Sequence, residues 1–348
     1  MRRHLAIFRA GFCAVGMLIL ILDTKTAVAG AASGIAMCLK TVIPSLFPFF
    51  LFSNLLTKEF TGRNSGVFSW IGRFLKIPSG SEYIYLAGLI GGYPVGAGML
   101  SDARRYGQIS RDDGNRMIAF CSNAGPAFIF GIGTSLFDRL LLCFAVWLIT
   151  IISGVFVALM VPGKPGNYLP VKQANALSLT GALKKSIMTM ALVCGWVVLF
   201  RVVLSFLDRW VLWLLSEPLQ SVVYGILEMS NGCCALTSIP VTGLRITLFS
   251  LFLSFGGLCV MLQTVSVLDG SGIRPVHYLK GKITQAAISF LLCQILQRFL
   301  PEQEQWNSPW FLIALSIGIC AVYIILTGKR KKPVAIHEIM MYNEEKLA

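Results

Sequence analysis

The chain has 348 residues, 55% hydrophobic and 13% charged, with a mean hydropathy of +0.72. Soluble domains carry about 25% charged residues, so this composition excludes an ordinary soluble globule and points to a polytopic membrane protein. The net charge of +14 does not signal nucleic acid, because Lys and Arg fall in short clusters between and outside apolar runs, where orientation signals belong.

Apolar segments follow one another at 5–22, 34–56, 83–100, 117–137, 140–161, 187–207, 219–239, 244–268, 283–300 and 310–326. A hydrocarbon core needs about 20 residues of helix, so most of these are long enough to cross. The first, behind Arg2, Arg3 and His4, lacks an Ala-x-Ala cleavage site and reads as a transmembrane helix rather than a signal peptide. Its helix and an external loop occupy 1–33. A first repeat follows at 34–161, a cytoplasmic linker at 162–185 and a second repeat at 186–300. A last transmembrane helix falls within 301–327, ahead of a basic cytoplasmic tail at 328–348.

Charge at the joints sets the expected topology. Arg2, Arg3 and Arg9 place the N-terminus in the cytoplasm, and Lys329, Arg330, Lys331 and Lys332 place the C-terminus there too. Lys58, Arg63, Arg73 and Lys76 precede segment 83–100, and Arg104, Arg105, Arg111 and Arg116 follow it. Two successive cytoplasmic joints cannot flank a full crossing. Segment 83–100 is therefore expected to enter the membrane and return as a re-entrant hairpin, with Gly91, Gly92, Pro94 and Gly96 forming its tip.

Glu302 and Glu304 mark an external loop, and Lys164, Lys172, Lys184 and Lys185, then Arg274, Lys280 and Lys282, mark cytoplasmic ones. Segment 219–239 is then re-entrant as well, with Arg209 and Arg245 as the contrary charges. The expected fold is an all-α polytopic membrane protein of about eight transmembrane helices plus two re-entrant hairpins.

The two halves are related in pattern. AFCSNAGP at 119–126 and LFLSFGGL at 251–258 share Phe, Ser and Gly in register, and the order helix, broken hairpin, broken helix, helix recurs. By the charge rule the halves enter from opposite faces, which makes an inverted-topology repeat. Such repeats with interrupted helices put a binding site near the bilayer midplane.

The interrupted segments are 91–98, 122–126, 228–232 and 254–257. Each frees backbone amides and carbonyls where small or polar residues stand, with hinges at Gly125, Pro126, Gly232, Gly256 and Gly257. Glu228 lies well inside an apolar run, which is costly unless it faces a cavity or a partner. Ser230 and Asn231 stand beside it, Ser122 and Asn123 form the equivalent pair in the first half, and Gln263 follows the last break by about two helical turns. The expected solute site comprises Ser122, Asn123, Glu228, Ser230, Asn231 and Gln263; the bland alternative is a hydrogen-bond cluster holding the hairpins together.

Gly88, Gly92 and Gly96 form a GxxxGxxxG series, whose structural meaning is close helix packing. Lys40 and Arg201 lie near enough to the ends of their segments to snorkel, and Asp112 and Asp113 read as the start of a helix. The ten cysteines lie inside apolar stretches without metal-ligand spacing, and His4, His277 and His337 are far apart. The sequence contains no nucleotide loop, catalytic triad or paired catalytic carboxylates, so no enzyme, metal or cofactor is expected.

Four blocks taken together, GYPVGA at 92–97, FCSNAGPAFI at 120–129, LEMSNG at 227–232 and LSFGGL at 253–258, resemble the sporulation integral membrane proteins of the YlbJ type. That family carries a nucleoside-recognition, or Gate, domain. The resemblance implies a multi-pass protein of a bacterial cell membrane with a role in spore formation. The Gate domain is itself similar to parts of concentrative nucleoside transporters and ferrous iron transporters, which implies a solute held between hairpin tips by Asn123, Glu228, Ser230 and Asn231. The expected function is a transporter or gate for a small polar solute or ion; the alternative is a non-transporting scaffold that organises partners through the basic region 104–116 and the tail. The expected partners are the lipid bilayer and that solute, without nucleic acid, and oligomerisation is left open.

Overall fold

The computed structural model describes residues 2–60, 68–163 and 178–306. Segment 310–326, the basic tail and most of the 162–185 linker lie outside these residues, as do Arg63, Lys164 and Lys172. The architecture is all-α.

Helix α1 (Arg2–Leu22) is followed directly by α2 (Thr24–Met37), whose first turn is capped by Asp23 accepting from the Thr26 amide at 3.3 Å. A π-helical turn, Cys38–Val42, leads into α3 (Ile43–Phe60). The external loop expected before residue 34 is therefore helix. A cap residue followed by an Ala-rich run explains the difference.

Next come α4 (Ser69–Leu75), α5 (Glu82–Gly91), α6 (Val95–Arg105), α7 (Arg111–Met117), α8 (Pro126–Leu136) and α9 (Leu140–Met160). The second half runs α10 (Leu179–Trp210), α11 (Glu217–Leu227), α12 (Met229–Ala235), α13 (Thr242–Phe255), α14 (Gly257–Leu268) and α15 (Pro275–Gln297). Among the described residues, Thr24–Leu55, Leu140–Met160, Leu179–Trp210 and Thr242–Leu268 are long and apolar enough to cross a membrane. Each expected interruption falls between helices: α5 from α6, α7 from α8, α11 from α12, and α13 from α14.

Helix α10 lies along α2, where Gly34 permits the approach: a Cβ there would sit 2.9 Å from the Val198 Cα. Helices α9, α13 and α15 pack together around Val146, Phe249, Leu253 and Phe290, all fully buried. Outward faces are apolar as well, with Leu141, Leu148 and Phe156 of α9 and Ile187, Met188 and Leu199 of α10 exposed. A helix apolar on every side belongs in lipid or in a core.

Several basic residues read as joint markers meet a different fate, because local carbonyls and side chains claim them. Arg116, 6% exposed, donates to the carbonyls of Leu75 (2.7 Å), Lys76 (2.8 Å), Ala158 (2.8 Å) and Val161 (3.2 Å). It thereby satisfies the open C-terminal ends of α4 and α9. Arg245 donates to the Leu136 carbonyl at 2.8 Å, and Arg209 pairs with Asp23 at 3.1 Å. Arg201, expected to snorkel, bonds the Ser33 hydroxyl at 3.1 Å, whereas Lys40 is exposed. Lys282, taken as a cytoplasmic marker, is 1% exposed inside α15. Asp113 does open α7, its amide donating to Ser110 Oγ at 3.0 Å.

Candidate functional site

The first hairpin turns at Gly92-Tyr93-Pro94. Gly92 has φ +78° with ψ −170°, a region that only glycine occupies readily, and the chain folds back so that Gly88 of α5 faces Gly96 of α6. A Cβ on either would run into the Cys121 carbonyl oxygen, which sits between the two arms. The glycine series thus packs across a turn instead of along one helix face.

The second hairpin turns at Glu228. Gly225 of α11 faces Gly232 of α12, with the Phe252 ring laid against both. Glu228 is extended (φ −143°, ψ 113°) and 1% exposed, and its carboxylate caps α12. Oε1 accepts from the Ser230 amide at 3.1 Å, and Oε2 accepts from the Asn231 amide and the Asn231 Nδ2, each at 2.7 Å. The buried charge that sequence marked as costly is held by three donors at a helix N-terminus.

Each helix break docks on the turn of its own half. A Cβ on Gly125 would lie 3.0 Å from Gly92 Cα and from the Ile90 carbonyl oxygen; on Gly257 it would lie 3.0 Å from the Gly225 carbonyl oxygen and 3.2 Å from the Met229 nitrogen. Pro126 begins α8 just after the first break, and Gly256, in the left-handed region, ends α13 at the second. The halves are joined by Tyr93, whose hydroxyl donates to the Leu253 carbonyl at 3.0 Å and whose ring covers Gly256.

Between the two hairpin turns and the α7–α8 break, with α14 alongside, lies a cavity of about 40 Å³ whose lining includes Tyr93, Gly125, Glu228, Ser230 and Gln263. A single water needs about 10–15 Å³ by this measure, so the space suits a small ion or a few waters and not a nucleoside. Val42 and Leu46, with Val193 and Val197 of α10, belong to its apolar lining.

A larger cavity of about 350 Å³ lies farther along α3, α10 and α14, with Pro94, Asp102, Arg105, Lys185 and Ser266 in its lining. Adjacent residues of one turn reach the two spaces: Tyr93 lines the smaller and Pro94 the larger. Lys185 of α10 forms an ion pair with Asp102 of α6 at this mouth.

Not every predicted residue reaches the small cavity. Glu228, Ser230 and Gln263 line it, and Asn231 braces Glu228. Ser122 and Asn123 do not. Asn123 Oδ1 instead accepts from Lys282 Nζ at 3.1 Å and from Gln285 Nε2 at 2.9 Å, and Lys282 also donates to Gln285 Oε1 at 2.7 Å. Lys282 lies 5.0 Å from the Tyr93 ring centroid and 5.7 Å from that of Tyr278. Sequence reasoning missed Lys282, Gln285 and Tyr93. A Lys and a Gln spaced i, i+3, and so on one face of a helix, was the available signal for the first two.

The aligned serines of the two breaks, Ser122 and Ser254, are fully buried, and neither hydroxyl has a hydrogen-bond partner among the described residues. No group of His, Cys, Asp and Glu able to hold a metal ion occurs among the described residues.

The chain is similar to the sporulation integral membrane protein YlbJ of Bacillus subtilis (strain 168), at 24% identity, across 82% of this chain and 81% of the relative. No family model matches it. No solved structure matches it either. The resemblance to YlbJ-type sporulation integral membrane proteins carried by four short blocks thus extends over most of a helical chain whose long apolar helices suit a membrane.

Proposed function

We propose that this chain is a multi-pass bacterial membrane protein acting in spore formation, and that it moves or gates a small polar solute or ion between its two hairpin turns. The role in spore formation is carried over from the relative named above. The observation that carries the transport reading is the meeting of two hairpin turns and the α7–α8 break around one cavity lined by Glu228, Ser230 and, from α14, Gln263. Irregular backbone at membrane depth is tolerated where it lines a cavity, and paired interruptions are the pattern of alternating-access transporters.

The matching dockings of Gly125 on Gly92 and of Gly257 on Gly225 and Met229 support an inverted repeat of Gate type. On this reading there are about eight crossings plus two re-entrant hairpins, and both termini are cytoplasmic. The larger cavity, rimmed by Asp102, Arg105 and Lys185, is the cytoplasmic vestibule, and the Tyr93-Pro94 turn is the barrier between it and the solute site. The activity is movement of a solute without chemical change. Of the basic region 104–116 on which the scaffold reading draws, Arg116 is buried and engaged by carbonyls of this chain.

The test is Glu228→Gln and Asn231→Ala in a spore-forming host, scored by spore heat resistance and solute uptake at equal protein level. Loss of both readouts is expected, and full activity of both variants would sink the reading.

A further inference from the structure

We infer that Lys282 is a proton-binding site that fixes the first hairpin turn, so that the movement proposed above is coupled to protons. The coupling clause rests on that proposal; the proton site does not. Lys282 is 1% exposed, two helical turns inside α15, where a charge is costly unless partnered. None of the ion pairs among the described residues includes it. Its partners are the amide oxygens Asn123 Oδ1 and Gln285 Oε1 and the ring faces of Tyr93 and Tyr278.

The partners outside α15 come from separate elements. Tyr93 is the tip of the first hairpin, Asn123 is the break between α7 and α8, and Gln285 anchors the group to α9 through the Thr150 carbonyl at 3.1 Å. An ammonium has three N–H donors and attracts an aromatic face; a neutral amine keeps two donors and loses that attraction. Release of the proton to water, leaving R–NH2 from R–NH3+, therefore weakens the hold on Tyr93 and so on the turn that reaches both cavities.

The titratable groups around Lys282 carry no compensating charge. They are Tyr93 from the turn, Tyr278 from its own helix, and the buried Cys121 from the segment after α7. Of the helices packed on α15, α9 and α14 have no charged residue. The α13 charge, Arg245, donates to Leu136; of the α7 charges, Arg111 and Asp112 are exposed, Arg116 is bound by four carbonyls and Asp113 accepts from Ser110. The protonation state of Lys282 is thus the variable charge of this cluster.

The experiment is hydrogen exchange of the purified full chain in detergent. Amide protection at 92–98 is followed between about pH 6 and about pH 10, below and up to the ordinary lysine value near 10.4, and corrected for intrinsic base catalysis. In the parent, protection at 92–98 is expected to fall roughly thirtyfold as pH rises, the size of a desolvated cation–π contact. Lys282→Arg keeps the turn protected throughout, and Lys282→Met leaves it open throughout, with protection of α9 reporting that each variant is folded. A parent whose turn is equally protected at every pH overturns the proposal, as does a folded Lys282→Met that behaves like the parent. The readout needs no solute, so a pH step in a chain that proves not to transport still supports the proton site.

Discussion

The Tyr93 hydroxyl and the Leu253 carbonyl meet at 3.0 Å, tying the tip of the first hairpin to the last turn of α13. Both partners are buried, so removing one leaves the other unpaired. Tyr93→Phe keeps the ring over Lys282 and deletes only this bond. It should destabilise the protein by about 0.6 kcal/mol, the average for interhelical hydrogen bonds in membranes, and by no more than about 1.7 kcal/mol. Tyr93→Leu should cost more, because the ring face goes too. Denaturation in detergent checks both, and a Phe variant as stable as the parent would show that the bond ties nothing.

Glu228 and Asn231 should behave as one unit. Glu228→Ala removes the cap of α12 and should cost about 0.5–2 kcal/mol. Asn231→Ala removes one of the three donors to the carboxylate and leaves a buried charge less well held. In a double-mutant cycle the two should be non-additive by about 0.5 kcal/mol or more. Additive costs would mean that the 2.7 Å contact between Asn231 Nδ2 and Glu228 contributes no coupling, and would leave the carboxylate held by the Ser230 and Asn231 amides alone.

The glycines at the breaks and those elsewhere should separate cleanly under substitution. Gly125→Ala brings a Cβ to 3.0 Å from Gly92 backbone, and Gly257→Ala brings one to 3.0 Å from the Gly225 carbonyl oxygen at a φ of +75°. Neither neighbour is a flexible side chain, so both variants should lose about 1–3 kcal/mol or fail to assemble. Gly131→Ala and Gly195→Ala meet nothing within 4 Å and should fold as the parent does. Monodispersity on size-exclusion chromatography and melting temperature are the readouts, and equal tolerance at all four positions would refute the docking.

The local interruptions were legible because Gly, Pro and an intramembrane carboxylate are anomalies within apolar runs, and each of the four breaks falls where those residues stand. That Gly125 meets Gly92 and Gly257 meets Gly225 was not legible, since pairing across the fold leaves no periodic mark. Glu228 was noticed for its cost, but its cap depends on α12 beginning at the next residue, which pattern alone did not give. Lys282 and Arg116 were misread because a basic residue at the edge of an apolar run looks the same whether it faces water or turns inward. In Lys282 the helix had begun two turns earlier, at Pro275; in Arg116 the carbonyls that claim it come from α4 and α9, some 40 residues away in sequence.

Arg116 supplies the prediction that most separates an orientation charge from a structural one. Its guanidinium meets four carbonyls from the ends of two helices, with Nη2 shared between Leu75 and Ala158 at 2.7 and 2.8 Å. It also lies over the Phe120 ring at 5.3 Å. Arg116→Lys keeps the positive charge, and with it the topological signal, but an ammonium has three donors and no planar fork. If the residue only oriented the chain, Lys would be silent. Because it closes α4 and α9, Lys should cost about 1–3 kcal/mol, the penalty for leaving buried carbonyls unpaired, and Arg116→Met should cost more. Insertion topology, read by tagging the termini, should be unchanged in Arg116→Lys while its melting temperature falls. A Lys variant with the parent's melting temperature would return Arg116 to the list of cytoplasmic charges.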